Sequence, residues 1–155
     1  MKSLLSELLA EKGIDVHTVE PDVTVYDAVH AMNNHRIGAL IVLQHNRVVG
    51  IFTERDVLMR VVAVDRDPVT TQVREVMTPQ PICVTPGMPV EDAMLLVTEK
   101  RFRHLPVLEQ GVLRGLISSG DLTRWTVRDQ RHQIADLNAY ITDTPMPADP
   151  KSRYA

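Results

Sequence analysis

The chain has 155 residues, with 44% hydrophobic and 24% charged side chains and a formal net charge of −3 from 17 basic and 20 acidic residues. That length gives one domain's worth of apolar core, and the composition excludes a disordered or fibrous chain. The slightly acidic balance excludes wrapping of nucleic acid, and nothing approaches the roughly 18 consecutive apolar residues of a membrane span.

Residues 1–13 read as an amphipathic helix. Leu4, Leu5, Leu8 and Leu9 share one face, and Glu7 and Glu11 interrupt what would be the apolar run of a signal peptide. A first unit, 14–74, follows. A short extended piece (His17–Val19) and a proline turn lead into a helix from about Tyr26 to Asn34, with Val25, Ala28, Val29 and Met32 at helical spacing. The run A-L-I-V-L, the polar turn Q-H-N-R and the run V-V-G-I-F form a hairpin, and a second helix begins at Thr53. The joint M-T-P-Q-P-I-C-V-T-P-G-M-P must run extended, because proline does not continue a helix.

The second unit, 75–134, repeats the series: Ile82–Val84 extended, a helix from about Glu91 to Lys100, the strands L-P-V-L and L-R-G-L-I around E-Q-G, and a helix from Ser118. The last segment, 135–155, ends that helical pattern. Ile134, Leu137 and Ile141 make one apolar stripe, expected to dock on the domain or on a partner subunit. The tail from Thr142, with Pro145, Pro147 and Pro150 and little to bury, is expected to be mobile.

Sliding the chain along itself by 65 residues aligns the two units without a gap. Val19, Pro21, Val25, Asp27, Ala28, Arg36, Leu40, Val42, Leu43, Gly50 and Asp56 meet Val84, Pro86, Val90, Asp92, Ala93, Arg101, Leu105, Val107, Leu108, Gly115 and Asp121. Eleven identities in register point to an internal duplication of a β-α-β-β-α unit.

The two second-helix entrances carry the chemistry. Gly50–Asp56 reads G-I-F-T-E-R-D and Gly115–Asp121 reads G-L-I-S-S-G-D. On one reading, Thr53 with Asp56 and Ser118 with Asp121 are capping boxes that stabilise each helix by roughly 1 kcal/mol and need no ligand. On the other, the helix N-terminus and hydroxyl seat a phosphate, and the carboxylate one turn inside accepts the two hydroxyls of a ribose. Cationic residues stand at the ends of the first helices: His35 and Arg36 in one copy, Lys100, Arg101, Arg103 and His104 in the other. Lys100, Arg101, His35 and Arg36 suit a solvated helix end, whereas Arg103 and His104 enter a buried strand and can face a phosphate.

No nucleophile, zincin, P-loop or dinucleotide motif is present, so a catalytic activity is not expected. Cys83 is the only cysteine; it leaves no intramolecular disulfide, its neighbours are uncharged, and it points to a reducing, cytoplasmic setting. The six histidines show no ligand spacing, so no metal is expected.

The duplicated unit, the paired G-h-x-[ST]-x-x-D signature and R-H-L-P-V resemble a pair of cystathionine-β-synthase-type (CBS) domains, a Bateman module, over about Ile14 to Ile134. The resemblance implies an α/β (α+β) fold of tandem β-α-β-β-α repeats with pseudo-two-fold symmetry and two clefts for adenosine compounds. It gives Asp56 and Asp121 the ribose, and Thr53, Ser118, Arg103 and His104 the phosphate. Thr18 and Cys83 with their neighbours, Gly38 and Pro106 fall to the adenine pocket. The ligand implied is an adenine nucleotide, AMP first, with ADP, ATP or NAD as alternatives. A homodimer and an unidentified regulated protein are the implied partners, with no nucleic acid and no membrane. Gly38 and Ala39 replace Arg103 and His104 in the first copy, and Arg55 replaces Gly120. The two clefts are therefore expected to differ, with the charge of the first supplied by Arg55 or by the opposite copy. The alternative is a protein-binding adaptor whose clefts have degenerated.

Overall fold

The computed structural model describes residues 2–143. Most of the tail expected to be mobile lies outside the described residues; its first two positions, Thr142 and Asp143, continue a helix.

Each repeat folds as its pattern dictates. In the first, β1 (Thr18–Val19) pairs in parallel with β2 (Ala39–Gln44) across the helix α2 (Val25–His35), and β2 pairs antiparallel with β3 (Arg47–Thr53). The helix α3 (Glu54–Arg60) leaves the end of β3, and a 3₁₀ turn follows at Val62–Val64. A four-residue helix α4 (Val73–Val76) leads into β4 (Thr78–Pro79), which closes a four-stranded sheet in the order β1-β2-β3-β4. In the second repeat, α5 (Val90–Lys100), β5 (His104–Glu109), β6 (Val112–Ser118) and α6 (Ser119–Asp143) follow the same course, and a single bridge, Val84 to Val107, takes the place of the parallel strand.

The duplication extends to details that the patterns did not specify. The hairpin register slips at Val42/Leu43 and again at Val107/Leu108. Both hairpins turn on two consecutive residues with positive φ, His45 and Asn46 in one and Gln110 and Gly111 in the other, which matches the twist of the strands they join. The helices α2 and α5 both end on a left-handed arginine, Arg36 at φ 53° and Arg101 at φ 57°.

Successive strand side chains point to opposite faces, and here both faces are covered. Leu40, Val42 and Phe52 face the helices of the first repeat, together with Val25, Ala28, Met32, Val73 and Val76. Ala39, Ile41 and Ile51 face the other way, against Leu113 and Leu116 of the second repeat, and form the layer between the repeats.

The N-terminal helix α1 (Leu5–Lys12) does not pack on the repeat that follows it. Leu5, Leu8 and Leu9 are buried in the core of the second repeat with Val84, Val90, Leu105, Val107 and Ile117. There α1 plays the part that α4 plays for the first repeat. The Leu5 amide donates to the Met88 carbonyl as Val73 does to Val23, and the Val90 amide donates to Ser3 as Val25 does to Thr71. Leu9 lies over Gly115 as Met77 lies over Gly50, leaving no room for a Cβ at either glycine. Each repeat is thus completed by the segment that precedes the other.

At the other end, α6 is one continuous helix of 25 residues. The expectation that its apolar stripe docks on the domain does not hold: Ile134, Leu137 and Ile141 are exposed, because α6 runs on past the last element that could cover them. No helix among the described residues is long and apolar enough to cross a membrane.

Candidate functional site

Both helix entrances fold as capping boxes. Thr53 Oγ1 accepts from the Asp56 amide at 3.4 Å, while Asp56 Oδ2 accepts from the Thr53 amide at 2.9 Å and from its hydroxyl at 3.1 Å. In the second repeat the Ser118 amide and hydroxyl both donate to Asp121 Oδ2 at 2.8 Å, and the Asp121 amide donates back at 3.1 Å. The first helical amide is also engaged in each copy, Glu54 with the Gly38 carbonyl and Ser119 with the Arg103 carbonyl. Capping therefore consumes much of the anion seat expected at these termini, and each hydroxyl must turn away from its carboxylate before it can donate to a phosphate.

The first cleft is open. A cavity of about 770 Å³ is lined by Thr53, Glu54, Arg55 and Asp56 from the first repeat, by Thr78, Gln80, Pro81 and Ile82 from the joint, and by Arg101, Phe102, Arg103 and His104 from the second. Asp56 is only 6% exposed, so a buried carboxylate sits in the wall of a cationic cavity. A second cavity of about 930 Å³ runs beside it past Arg36, Gly38, Glu54, Arg103, His104, Ser118 and Ser119. Among the expected site residues, Thr53, Arg55, Asp56, Gly38, Arg103 and His104 are thus brought together.

Thr18, Cys83 and Pro106 line neither cavity. Thr18 is exposed on β1, Pro106 is buried in β5 opposite Leu116, and the half-buried Cys83 thiol donates to the Pro81 carbonyl at 3.3 Å. Burial pushes that thiol up, away from the thiolate a nucleophile needs. Asp121 is also outside both cavities. Its Oδ2 accepts from Lys12 Nζ and its Oδ1 from Arg124 Nη2, each at 2.5 Å.

Sequence reasoning missed Lys12, Glu54, Arg60 and Arg124. Arg124 lies one helical turn from Asp121 and was visible in the spacing. Arg60, four residues after Asp56, stands 3.8 Å from its Oδ1 and donates to the Val76 and Met77 carbonyls at the end of α4. Nothing local to Lys12 pointed to a residue more than a hundred positions away.

His104 sits where the two repeats meet and is held below its ordinary value of 6.5, first by burial and then by the positive charges of Lys12 and Arg103, against the opposing pull of Asp121 and Glu54. Its neutral form is therefore favoured in the folded chain. The unfolded chain takes up a proton first as the pH falls, so this contribution to stability is complete above 6.5 and is lost as the pH drops from there through the depressed folded value. His104→Gln is expected to flatten the melting temperature over roughly the first pH unit below that point. A variant that melts with the wild-type pH profile would show that His104 is not responsible. Asp121 acts in a separate, more acidic window. Burial raises it, but hydrogen bonds from Lys12 and from the Ser118 amide and hydroxyl, with the Lys12 charge, hold it below 3.8.

Comparison with known proteins identifies the repeated unit. The sequence profile of the CBS domain matches residues 7–63 and 73–128. The mitochondrial CBS domain-containing protein CBSX3 of Arabidopsis thaliana is 41% identical over an alignment of 125 positions that covers 77% of this chain and 61% of that protein. The chain thus spans about three fifths of that relative's length. A solved protein with CBS domains from Burkholderia ambifaria superposes with a TM-score of 0.79 at 40% identity, covering 83% of this chain and 96% of that one. The CBS domain pair of MJ0100, solved with 5′-methylthioadenosine and S-adenosylmethionine, shares the fold at a TM-score of 0.74 and 20% identity, covering 83% and 99%.

Proposed function

The chain belongs to the CBS domain family, and from that premise we propose that it is a non-catalytic regulator that binds an adenine nucleotide and passes the bound state to a partner protein. The observation that carries the reading is the Asp56 cleft, a buried carboxylate in the wall of a cavity of about 770 Å³ with Arg55, Arg60, Arg101 and Arg103 around it. That volume suits a small ligand. Asp56 takes the ribose hydroxyls, and Arg55 and Arg103 take phosphate, joined by Thr53 with its hydroxyl turned outward. Neutral His104 offers one donor and one acceptor at the inner end. Gly38, which lines both cavities, leaves room beside Glu54.

Four guanidinium groups favour a phosphorylated ligand over an uncharged nucleoside. AMP is the first candidate, with ATP and NAD as alternatives. MJ0100, of the same fold, was solved with two adenosine compounds. The setting proposed is cytoplasmic, on the single, half-buried, unpaired Cys83.

A second copy of the chain is the proposed structural partner. Leu58, Met59 and Val62 beside the cleft and Ile134, Leu137 and Ile141 on α6 are exposed apolar side chains suited to it. A light-scattering mass of one 17.4 kDa chain would remove this element.

The test is thermal denaturation with AMP, ATP, NAD and 5′-methylthioadenosine. A ligand at a hundred times its dissociation constant adds about 2.7 kcal/mol. Each kcal/mol moves the midpoint of a domain this size by roughly 2–4 °C. At least one phosphorylated compound is expected to raise the midpoint by several degrees, and more than 5′-methylthioadenosine does. If none moves it, the nucleotide reading fails and the adaptor reading takes its place.

A further inference from the structure

The two aspartates share a backbone and a capping box but differ in how many of their acceptor sites remain. A carboxylate offers about four lone-pair sites. At Asp121 four donors are already present: the Ser118 amide, the Ser118 hydroxyl and Lys12 Nζ on Oδ2, and Arg124 Nη2 on Oδ1. Among the described residues, the bonds at Asp56 come from Thr53 alone, on Oδ2, and Arg60 is 3.8 Å from Oδ1. The first carboxylate keeps both sites of Oδ1 and can accept a ribose diol; the second keeps one site, on Oδ1, too few for the two hydroxyls of a diol.

The cause lies in how the two crossing helices end. In the first repeat α4 stops at Val76, because Pro79 and Pro81 hold the following chain extended, and the joint turns aside to line the open cleft. In the second repeat the corresponding helix is α1. Its sequence L-S-E-L-L-A-E-K has no breaker, and it runs on to Lys12 before Gly13 ends it at φ 98°. Counting along from the pair Leu5 and Val73 places Lys12 opposite Gln80, an uncharged residue that lines the first cleft. The end of α1 is fastened at further points. Lys12 Nζ also donates to the Leu116 carbonyl at 2.6 Å, Glu11 pairs with Arg128, and Leu9 covers Gly115.

We infer that Lys12 is a built-in occupant of the second cleft: it fills the ribose position at Asp121, so the chain holds one nucleotide, at Asp56, while α1 is fastened, and the second cleft fills only when the end of α1 lets go. Occupancy of the second cleft and the seating of the N-terminal helix are then opposed. The ligand side of the inference rests on the nucleotide reading; the fastening of α1 does not.

Two measurements separate them. Calorimetric titration with AMP is expected to give one nucleotide per chain for the wild type and two for Lys12→Met, which keeps the apolar stem and removes the charge. Arg124, whose side chain is 70% exposed, can swing aside. Two equal sites in the wild type, or one in Lys12→Met, would overturn the inference and leave the Asp56 reading standing. If neither protein binds AMP, the nucleotide reading falls and the ligand-free chain decides the fastening. There, hydrogen exchange of the Leu9–Lys12 amides is expected to quicken roughly three- to tenfold in both Lys12→Met and Asp121→Asn. The double variant should exchange no faster than either alone. Unchanged exchange in both single variants would refute the fastening. Trp125, the single tryptophan, packs against the core that holds α1 and gives an independent fluorescence signal.

Discussion

Asp56→Ala is expected to lower the affinity for AMP by about a hundredfold or more, because two hydrogen bonds to a charged acceptor are lost, each contributing roughly 1.5–3 kcal/mol. Tenfold in affinity corresponds to about 1.4 kcal/mol, so the loss is readily resolved by calorimetry at fixed ionic strength. The same change removes half of a capping box, at about 1 kcal/mol of stability, and lowers the melting point by a few degrees without ligand. Asp56→Asn separates the two effects. Its amide oxygen can still accept from the Thr53 amide, so the cap is largely kept, while the charge that holds the diol is gone. If Asp56→Asn melts like the wild type and binds AMP weakly, the carboxylate is a ligand as well as a cap. Wild-type affinity in both variants would reduce it to a cap. Asp121→Ala is expected to leave AMP affinity at the first cleft within about threefold, since two-site coupling is not needed for a contact made only at Asp56.

Leu5→Ala with Leu8→Ala should unfold the second repeat more readily than any change in the cleft. The two leucines are 0% and 3% exposed in the core formed with Leu105, Val107 and Ile117. Truncating one buried leucine costs about 2–5 kcal/mol. The pair share one cavity, so their costs do not simply add, yet the total approaches the roughly 5–15 kcal/mol that holds a domain together. A fall in melting temperature of at least about 10 °C follows, with loss of exchange protection in β5 and β6. A fall under about 4 °C would mean that α1 is only loosely applied to the second repeat.

Much of the fold was legible because it is written in short-range patterns. Val25, Ala28 and Met32 at helical spacing bury one face of α2, and the β-branched runs became strands covered on both sides. The ungapped alignment of the two units carried over even to the matched register slip after Val42 and Val107. At the site, Thr53 with Asp56 and Ser118 with Asp121 announced their own contacts, since each lies within one helical turn of its partner. Arg103 and His104 were legible as cleft residues because a cation at the entrance of a buried strand has few other places to go. The adenine-pocket residues were less so: Thr18, Cys83 and Pro106 were carried over by likeness alone, and pattern fixes no side-chain direction for Thr18 on a two-residue strand or for Cys83 outside any strand.

By itself the sequence determined that two equal β-α-β-β-α units exist, where their helices begin, and that each beginning is sealed by a hydroxyl and an acid. These are decided by neighbours a few residues apart, and periodicity and capping report them directly. Only the tertiary structure decided which repeat receives the leucine face of α1. An amphipathic stripe states that a face will be buried but not against what, and the first repeat's position was already taken by Val73 and Val76. With α1 assigned to the second repeat, Lys12 meets Asp121 across a separation of 109 residues, and two entrances alike in sequence become one open cleft and one filled.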